Sequence, residues 1–128
     1  MVDKEKPFYP VSMAAELLNI SADRLRAYEE EGLIKPHRVK SKSAKIKAPK
    51  RLYSQNDIEW IGLIRDLLKS GLSIPSIRLF LYILPYINKK NIKNIDFPEN
   101  NHINIVKEQW NIIIKLYEHP VYKQIIEI

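Results

Sequence analysis

Cysteine is absent from this chain, and glycine occurs only three times in 128 residues. Without cysteine there is no disulfide and no thiolate metal site, so redox argument does not fix the compartment. The three glycines, Gly32, Gly62 and Gly71, stand too far apart to form a phosphate-cradling loop. Long hydrophobic runs are missing as well. The longest, residues 79–87, is broken by Pro85 and is far too short to span a bilayer. The first ten residues, MVDKEKPFYP, mix acids with lysines and lack an apolar core, so no secretory signal is expected. His37, His102 and His119 share no metal-ligand spacing, and no nucleophile–base pattern accompanies them. No enzyme, metal, cofactor or membrane partner is therefore expected, and the chain reads as cytoplasmic.

What is present is an uneven distribution of charge. The formal net charge is +6. Residues 1–86 hold 15 Lys and Arg against 10 Asp and Glu, a balance of +5, whereas residues 87–128 hold 6 against 5. Residues 35–51, from Lys35 to Arg51, contain eight cations and no acid. A basic run by itself is as readily a solvated loop as a binding surface. The segment in front of this one tips the balance toward phosphate contact.

That segment, residues 11–36, is VSMAAELLNISADRLRAYEEEGLIKP and reads as two short helices joined by a tight turn. Ser12 is placed to cap a first helix over residues 13–18, with Ala14, Leu17 and Leu18 available to a core. Asn19 and Ile20 form the turn, with Ile20 as its buried plug. Ser21 caps a second helix over residues 22–31, and Gly32 suits the left-handed residue that closes it. Lys35 before Pro36 forbids helix there. Residues 37–53 lack helical periodicity and, with Pro49, read as a two-stranded β-hairpin. Residues 1–8 are expected to fray.

Ser54 with Asp57 is a capping-box pattern that opens a third helix over about residues 55–70, with Ile58, Ile61, Ile64 or Leu63, and Leu67 or Leu68 as its apolar stripe. Gly71 ends it. Ser73 caps a fourth helix, in which Pro75 is tolerated in the first turn and Ile77, Phe80, Leu81 and Leu84 face inward until Pro85 stops it. Residues 87–101, rich in Asn and Lys, read as a linker. A fifth helix is expected over residues 102–118, where Ile103, Val106, Trp110, Ile113 and Tyr117 advance by 3, 4, 3 and 4. Ile105, Ile112 and Leu116 add apolar character beyond this seam. A short helix this apolar must pack against its own domain, a second subunit, or both. The seam is the expected dimerisation surface, and VYKQIIEI makes a final short element.

Two arginines stand out on the second helix. With Leu25 as the core anchor, Arg24 and Arg26 turn outward, where arginine pairs with guanine edges or clamps phosphate. An outward arginine is ordinarily a solubilising charge; its place on the second helix of a helix-turn-helix favours DNA contact. Glu29, Glu30 and Glu31 at the far end would repel phosphate, so the first half of the helix is expected in the groove. Tyr28 and Tyr53 are equally readable as core-edge aromatics or as phosphate donors through their hydroxyls. The basic segment adds Lys35, Arg38, Lys40, Lys42, Lys45, Lys47, Lys50 and Arg51 as expected backbone contacts, and Ser12 completes the candidate DNA-binding set.

These residues carry a resemblance. The stretches VSMAAELLNISADRLRAYEEEGLIKPHR, RLYSQNDIEWI and LLKSGLSIPSIRLFL resemble the MerR family of bacterial transcriptional regulators, from Tyr9 to about Leu84. The resemblance implies a mainly α, winged helix-turn-helix fold with a small β-hairpin wing and a short C-terminal helical appendage. Its expected divisions are residues 9–86 for the DNA-binding domain, 87–101 for a linker and 102–128 for a helical dimerisation or interaction segment. By position, Arg26 and Tyr28 match the family's recognition-helix contacts, Arg24 lies beside them, and Arg51 and Tyr53 match the wing's phosphate contacts.

The chain departs from the family pattern at Ala27, where many members carry a tyrosine, and in a longer, lysine-rich wing. The long helix through which family dimers join does not directly follow the fourth helix. Thiolate metal sensing is excluded, and no drug-binding domain is expected. The chain looks closer to short members such as the heat-shock repressors and the glutamine/nitrogen regulators. The function expected is a homodimeric, sequence-specific repressor on a palindromic promoter site, nucleoid-associated, with double-stranded DNA and a regulatory protein as partners. The alternatives are an architectural or accessory DNA binder and an interaction adaptor that has lost DNA binding.

Overall fold

The computed structural model describes residues 3–39 and 50–126. The chain divides into two compact units, Met1–Gly62 and Leu63–Ile128. In chain order the elements are β1 (Tyr9–Pro10), α1 (Val11–Leu18), α2 (Ala22–Glu30), β2 (His37–Val39), β3 (Lys50–Tyr53), α3 (Gln55–Lys69), α4 (Ile74–Ile83), α5 (Lys89–Lys93), α6 (Asn104–Glu118) and α7 (Tyr122–Ile126). Short 3-10 turns follow α4 at Leu84–Tyr86 and precede α6 at Asn101–Ile103.

In the first unit, α1 begins two residues earlier than the serine pattern implies. Pro10 occupies the N-cap position with extended geometry and Ser12 lies inside the first turn, so Ser12 is not the cap. Proline has no N–H to orphan and stands comfortably at a helix start. The helix ends at Asn19, whose left-handed φ of 53° lets its N–H return to the α1 carbonyls. Ala14 and Leu18, four residues apart, are buried, whereas Leu17, expected inside, is 58% exposed. With only one apolar position per turn needed, the i and i+4 pair takes the core and Leu17 rotates out. Ser21 caps α2 as expected, its side chain accepting from the Arg24 N–H at 3.1 Å. Gly32 follows with φ of 74°, where a side chain would be strained.

The hairpin is part of a three-stranded sheet of order β1-β3-β2. His37, Arg38 and Val39 stand opposite Leu52, Arg51 and Lys50, while Tyr9 and Pro10 stand opposite Tyr53 and Leu52. The third strand was not legible in the sequence because two residues containing a proline carry no strand periodicity. Residues 3–8 are also held rather than frayed. The Phe8 N–H donates to the Tyr53 carbonyl at 3.0 Å, and the Asn56 N–H donates to the Lys4 carbonyl at 3.0 Å. The capping box is reciprocal: Asp57 N–H donates to Ser54 Oγ at 3.0 Å, and Ser54 N–H donates to Asp57 Oδ2 at 2.8 Å. With Ser54 alone between β3 and α3, it fixes where the wing strand gives way to helix.

In the second unit the helices pack around Ile64, Leu67, Ile77, Leu81, Leu84 and Leu116, all essentially buried. Residues 87–101 are more than a linker, since they contain α5. Asn88 caps it by accepting from the Lys90 N–H, Ile92 is buried, and the Ile92 carbonyl accepts from the Trp110 indole at 3.2 Å. One well-placed isoleucine in an Asn- and Lys-rich stretch anchors the segment. Across the unit, Gln109 Nε2 donates to Ser70 Oγ at 3.0 Å, and the Tyr122 hydroxyl donates to the Leu81 carbonyl at 2.5 Å.

Three of the five seam residues pack within this unit. Ile113 is 3% exposed, Trp110 meets the Phe80 ring edge-on with centroids 6.3 Å apart, and Tyr117 does the same with Tyr122 at 5.1 Å. Val106 is 43% exposed and Ile103 is half-buried. The heptad spacing was real, but partners already tethered in the same chain are met without the entropy cost of association.

Candidate nucleic-acid interface

The helix-turn-helix is set by its ends. The left-handed Asn19 turns the chain sharply after α1, and the extended Ser21 starts α2 two residues later. Leu25 (0% exposed) and Tyr28 (2%) bury one face of α2. That leaves Arg24 and Arg26 exposed, as the spacing around Leu25 requires. Arg26 is paired with Asp23, Nη1 to Oδ1 at 2.9 Å, on an exposed face where such a pair contributes little to stability and exchanges readily for phosphate. Asp23 also sits in the first turn of α2, where its charge complements the helix dipole.

The two tyrosines are resolved toward the core. Tyr53 is fully buried and Tyr28 nearly so, which favours the core-edge reading of both rings. Ser12 is exposed near the start of α1, and Lys35 is exposed just after the buried Leu33 and Ile34.

A contact without any local signal joins wing to helix. Arg51 Nε on β3 lies 3.1 Å from Glu29 Oε2 on α2, with side chains 26% and 17% exposed. Glu29 is therefore a structural counter-ion for the wing arginine and not merely a charge facing away from DNA. Opposite-charge pairing between residues 22 positions apart has no sequence signature. Register also brings Arg38 opposite Arg51, and Val39 opposite Lys50, concentrating cationic residues on adjacent rungs. Lys40, Lys42, Lys45 and Lys47 lie outside the described residues.

Trp60 is a second residue that the apolar-stripe reading passed over. It is fully buried, and its indole N–H donates to the Leu33 carbonyl at 2.8 Å. The bond holds the chain where it leaves α2, between the helix and the basic segment. Among the described residues no cluster of three or more His, Asp or Glu could hold a metal ion, and no helix is long and apolar enough to cross a membrane.

This geometry agrees with the family comparison. The model of the MerR helix-turn-helix regulatory proteins matches residues 9–82. The chain belongs to the MerR family. The match covers both helices of the helix-turn-helix, the three strands, α3 and nearly all of α4. Among MerR-type relatives, the chain is 33% identical over 78 residues to the HTH-type transcriptional regulator GlnR of Bacillus anthracis, covering 61% of this chain and 55% of that protein. It is 33% identical over 73 residues to the uncharacterized HTH-type transcriptional regulator YyaN of Bacillus subtilis, covering 57% and 49%. The chain thus spans about half the length of the curated relatives it matches. Among solved structures it is similar to HiNmlR, a MerR family regulator lacking the sensor domain, bound to promoter DNA. That match has a TM-score of 0.49 and 23% identity, and covers 93% of this chain and 84% of that one.

Proposed function

We propose that this MerR-family chain is a sequence-specific transcriptional regulator that acts as a repressor, two copies binding a palindromic promoter site. The observation that carries the reading is the exposed pair Arg24 and Arg26 on the second helix of a rigid helix-turn-helix, beside a wing whose strands bear Arg38, Lys50 and Arg51. In this reading α2 enters the major groove, its arginines reach base edges or phosphates, and the wing lies along the backbone. The names of its relatives, transcriptional regulators, support the same assignment. For a second copy, the outer face of α6 offers Ile105 and Val106, exposed at 59% and 43%, with the half-buried Ile112 two turns on.

The test is selection of bound sequences from a random duplex pool, followed by affinity measurement on the selected site. Recovery of an inverted repeat is expected. Log K should fall with log salt at about 0.9 per phosphate neutralised. Arg26→Glu should weaken specific binding by about 1–3 kcal/mol and blur base preference. Unchanged affinity and preference in that variant would remove α2 from the groove. The eight cations and absent acids of residues 35–51 favour a second reading, an accessory binder gripping any duplex, and a specificity ratio near one would establish it.

A further inference from the structure

Helix α4 is apolar on two faces. Ile77 and Leu81, with Leu84 just beyond the helix, are buried in the second unit. Leu79, Tyr82 and Ile83 stand at i, i+3 and i+4 on another face, exposed at 57%, 55% and 41%, and Tyr86, in the 3-10 turn just beyond the helix, is exposed at 83%. Ile87 extends the stripe and is also exposed. Single exposed apolar residues need no explanation, but a stripe at helical spacing marks an interaction surface. Its chemistry is wrong for a duplex, because tyrosine and isoleucine offer phosphates little, whereas tyrosine is enriched where proteins meet.

The charge around the stripe identifies the partner's character. Residues 67–95 contain Lys69, Arg78, Lys89, Lys90 and Lys93 and not one acid. Lys93 is paired with Glu118 at 3.3 Å. Arg78 stands immediately before the stripe, and the exposed Lys89 and Lys90 stand immediately after it. Pairing of this stripe with the same stripe of a second copy fits poorly. Antiparallel α4 helices would bring Arg78 of each copy to Lys89 and Lys90 of the other, and parallel helices would bring each cation to itself. Either way like charges meet, which costs free energy at an interface. Where the stripe ends, a cleft of about 1010 Å³ opens, with Pro85, Lys89, Tyr117, Glu118, Tyr122 and Lys123 among its lining; the one acid, Glu118, is paired with Lys93. It is a suitable receptacle for a bulky apolar side chain.

We propose that the outer stripe of α4, residues 79–86, is the docking surface for an acidic amphipathic helix of another protein. The partner's apolar side chains lie along Leu79, Tyr82, Ile83 and Tyr86, and its carboxylates meet Arg78, Lys89 and Lys90. This is helix-on-helix recognition with charge fixing the partner's identity. None of the residues of this surface belongs to the candidate DNA-binding set.

The test uses the full chain and two labelled synthetic helices. One carries leucine at i, i+3, i+4 and i+7 with glutamate elsewhere; its twin carries lysine in place of glutamate. Fluorescence anisotropy should show the acidic helix binding at least about tenfold tighter, with the gap narrowing at high salt. The double variant Ile83→Ser, Tyr86→Ser should weaken acidic-helix binding by about tenfold or more. Lys89→Glu with Lys90→Glu should reverse the preference between the two helices. All four positions are exposed, so thermal melting and affinity for DNA should stay at the parent's values. Equal binding of the two helices, or binding of neither, overturns the proposal. So does reduced DNA affinity in the lysine variant, which would assign those cations to phosphate. Dissociation of a sedimentation dimer in the serine variant would assign the stripe to a second copy and overturn it likewise.

Discussion

The two units place their tyrosines and their charges in opposite ways. In Met1–Gly62, Tyr28 and Tyr53 are buried and the exposed helix positions carry Arg24 and Arg26. In Leu63–Ile128, Tyr82 and Tyr86 are exposed along an apolar stripe, and the only strongly buried tyrosine, Tyr122, bonds a backbone carbonyl. A surface of arginines on a rigid helix suits a polyanion, whose energy is electrostatic and whose water need not be removed. A surface of tyrosine, leucine and isoleucine suits a protein, where burial of apolar area supplies the energy. The contrast teaches that helices of similar length suit different kinds of partner according to what their outer faces carry.

Four changes break or sharpen that contrast, in descending size of effect. Trp60→Ala should destabilise the protein by about 3–5 kcal/mol, through lost core volume and a Leu33 carbonyl left without its donor. Chemical denaturation would measure it, and a loss under 1 kcal/mol would mean that the exit of α2 is held by other contacts. Glu29→Gln should lower stability by about 1.5–3 kcal/mol, since it weakens a charge-assisted contact between half-buried groups. The same variant should bind DNA more tightly at low salt, because Arg51 is released toward phosphate. If affinity for DNA falls instead, Arg51 needs Glu29 to hold it in its binding position.

Gly32→Ala tests the turn alone. Nothing lies within 4 Å of the added methyl group, so the cost of about 1 kcal/mol is backbone strain at a φ of 74°. A neutral result would show that the segment relaxes out of the left-handed region. The smallest effect belongs to Tyr122, whose pKa is pushed up from 10 to about 12, first by burial and then by Tyr117 nearby. The folded pKa lies above the unfolded one. This contribution to stability is therefore complete below pH 10 and is lost as pH rises toward 12. Tyr122→Phe should flatten that alkaline limb in melts taken across the range while costing only about 0.5–1.5 kcal/mol at neutral pH.

Much of the first unit was legible because its signals are local. Ser21 with its helix, Gly32 at the turn, and Ser54 with Asp57 each act within a few residues, and each stands where the spacing placed it. The errors were of another kind. Ser12 looked like a cap because serine usually is one, but strand β1 runs straight into the helix and Pro10 takes that position. Leu17 looked like core because α1 is apolar on more than one side. The Arg51–Glu29 pair, the Trp60 bond to Leu33, and the pairing of β1 with β3 all depend on contacts distant in sequence.

The sequence by itself determined the family, the helix-turn-helix with its outward arginines, and the start and end of most helices. Those follow from hydrophobic period, capping chemistry and backbone sterics, which act over one or two turns. Only the tertiary structure decided which apolar face of each helix is core. On α6 it turned Trp110, Ile113 and Tyr117 inward and left Ile105 and Val106 outside; on α4 it buried Ile77 and Leu81 and left Leu79 and Tyr86 exposed. A helix apolar on two sides satisfies its period either way. The choice rests on where α5 and α7 come to lie, and no local rule encodes that.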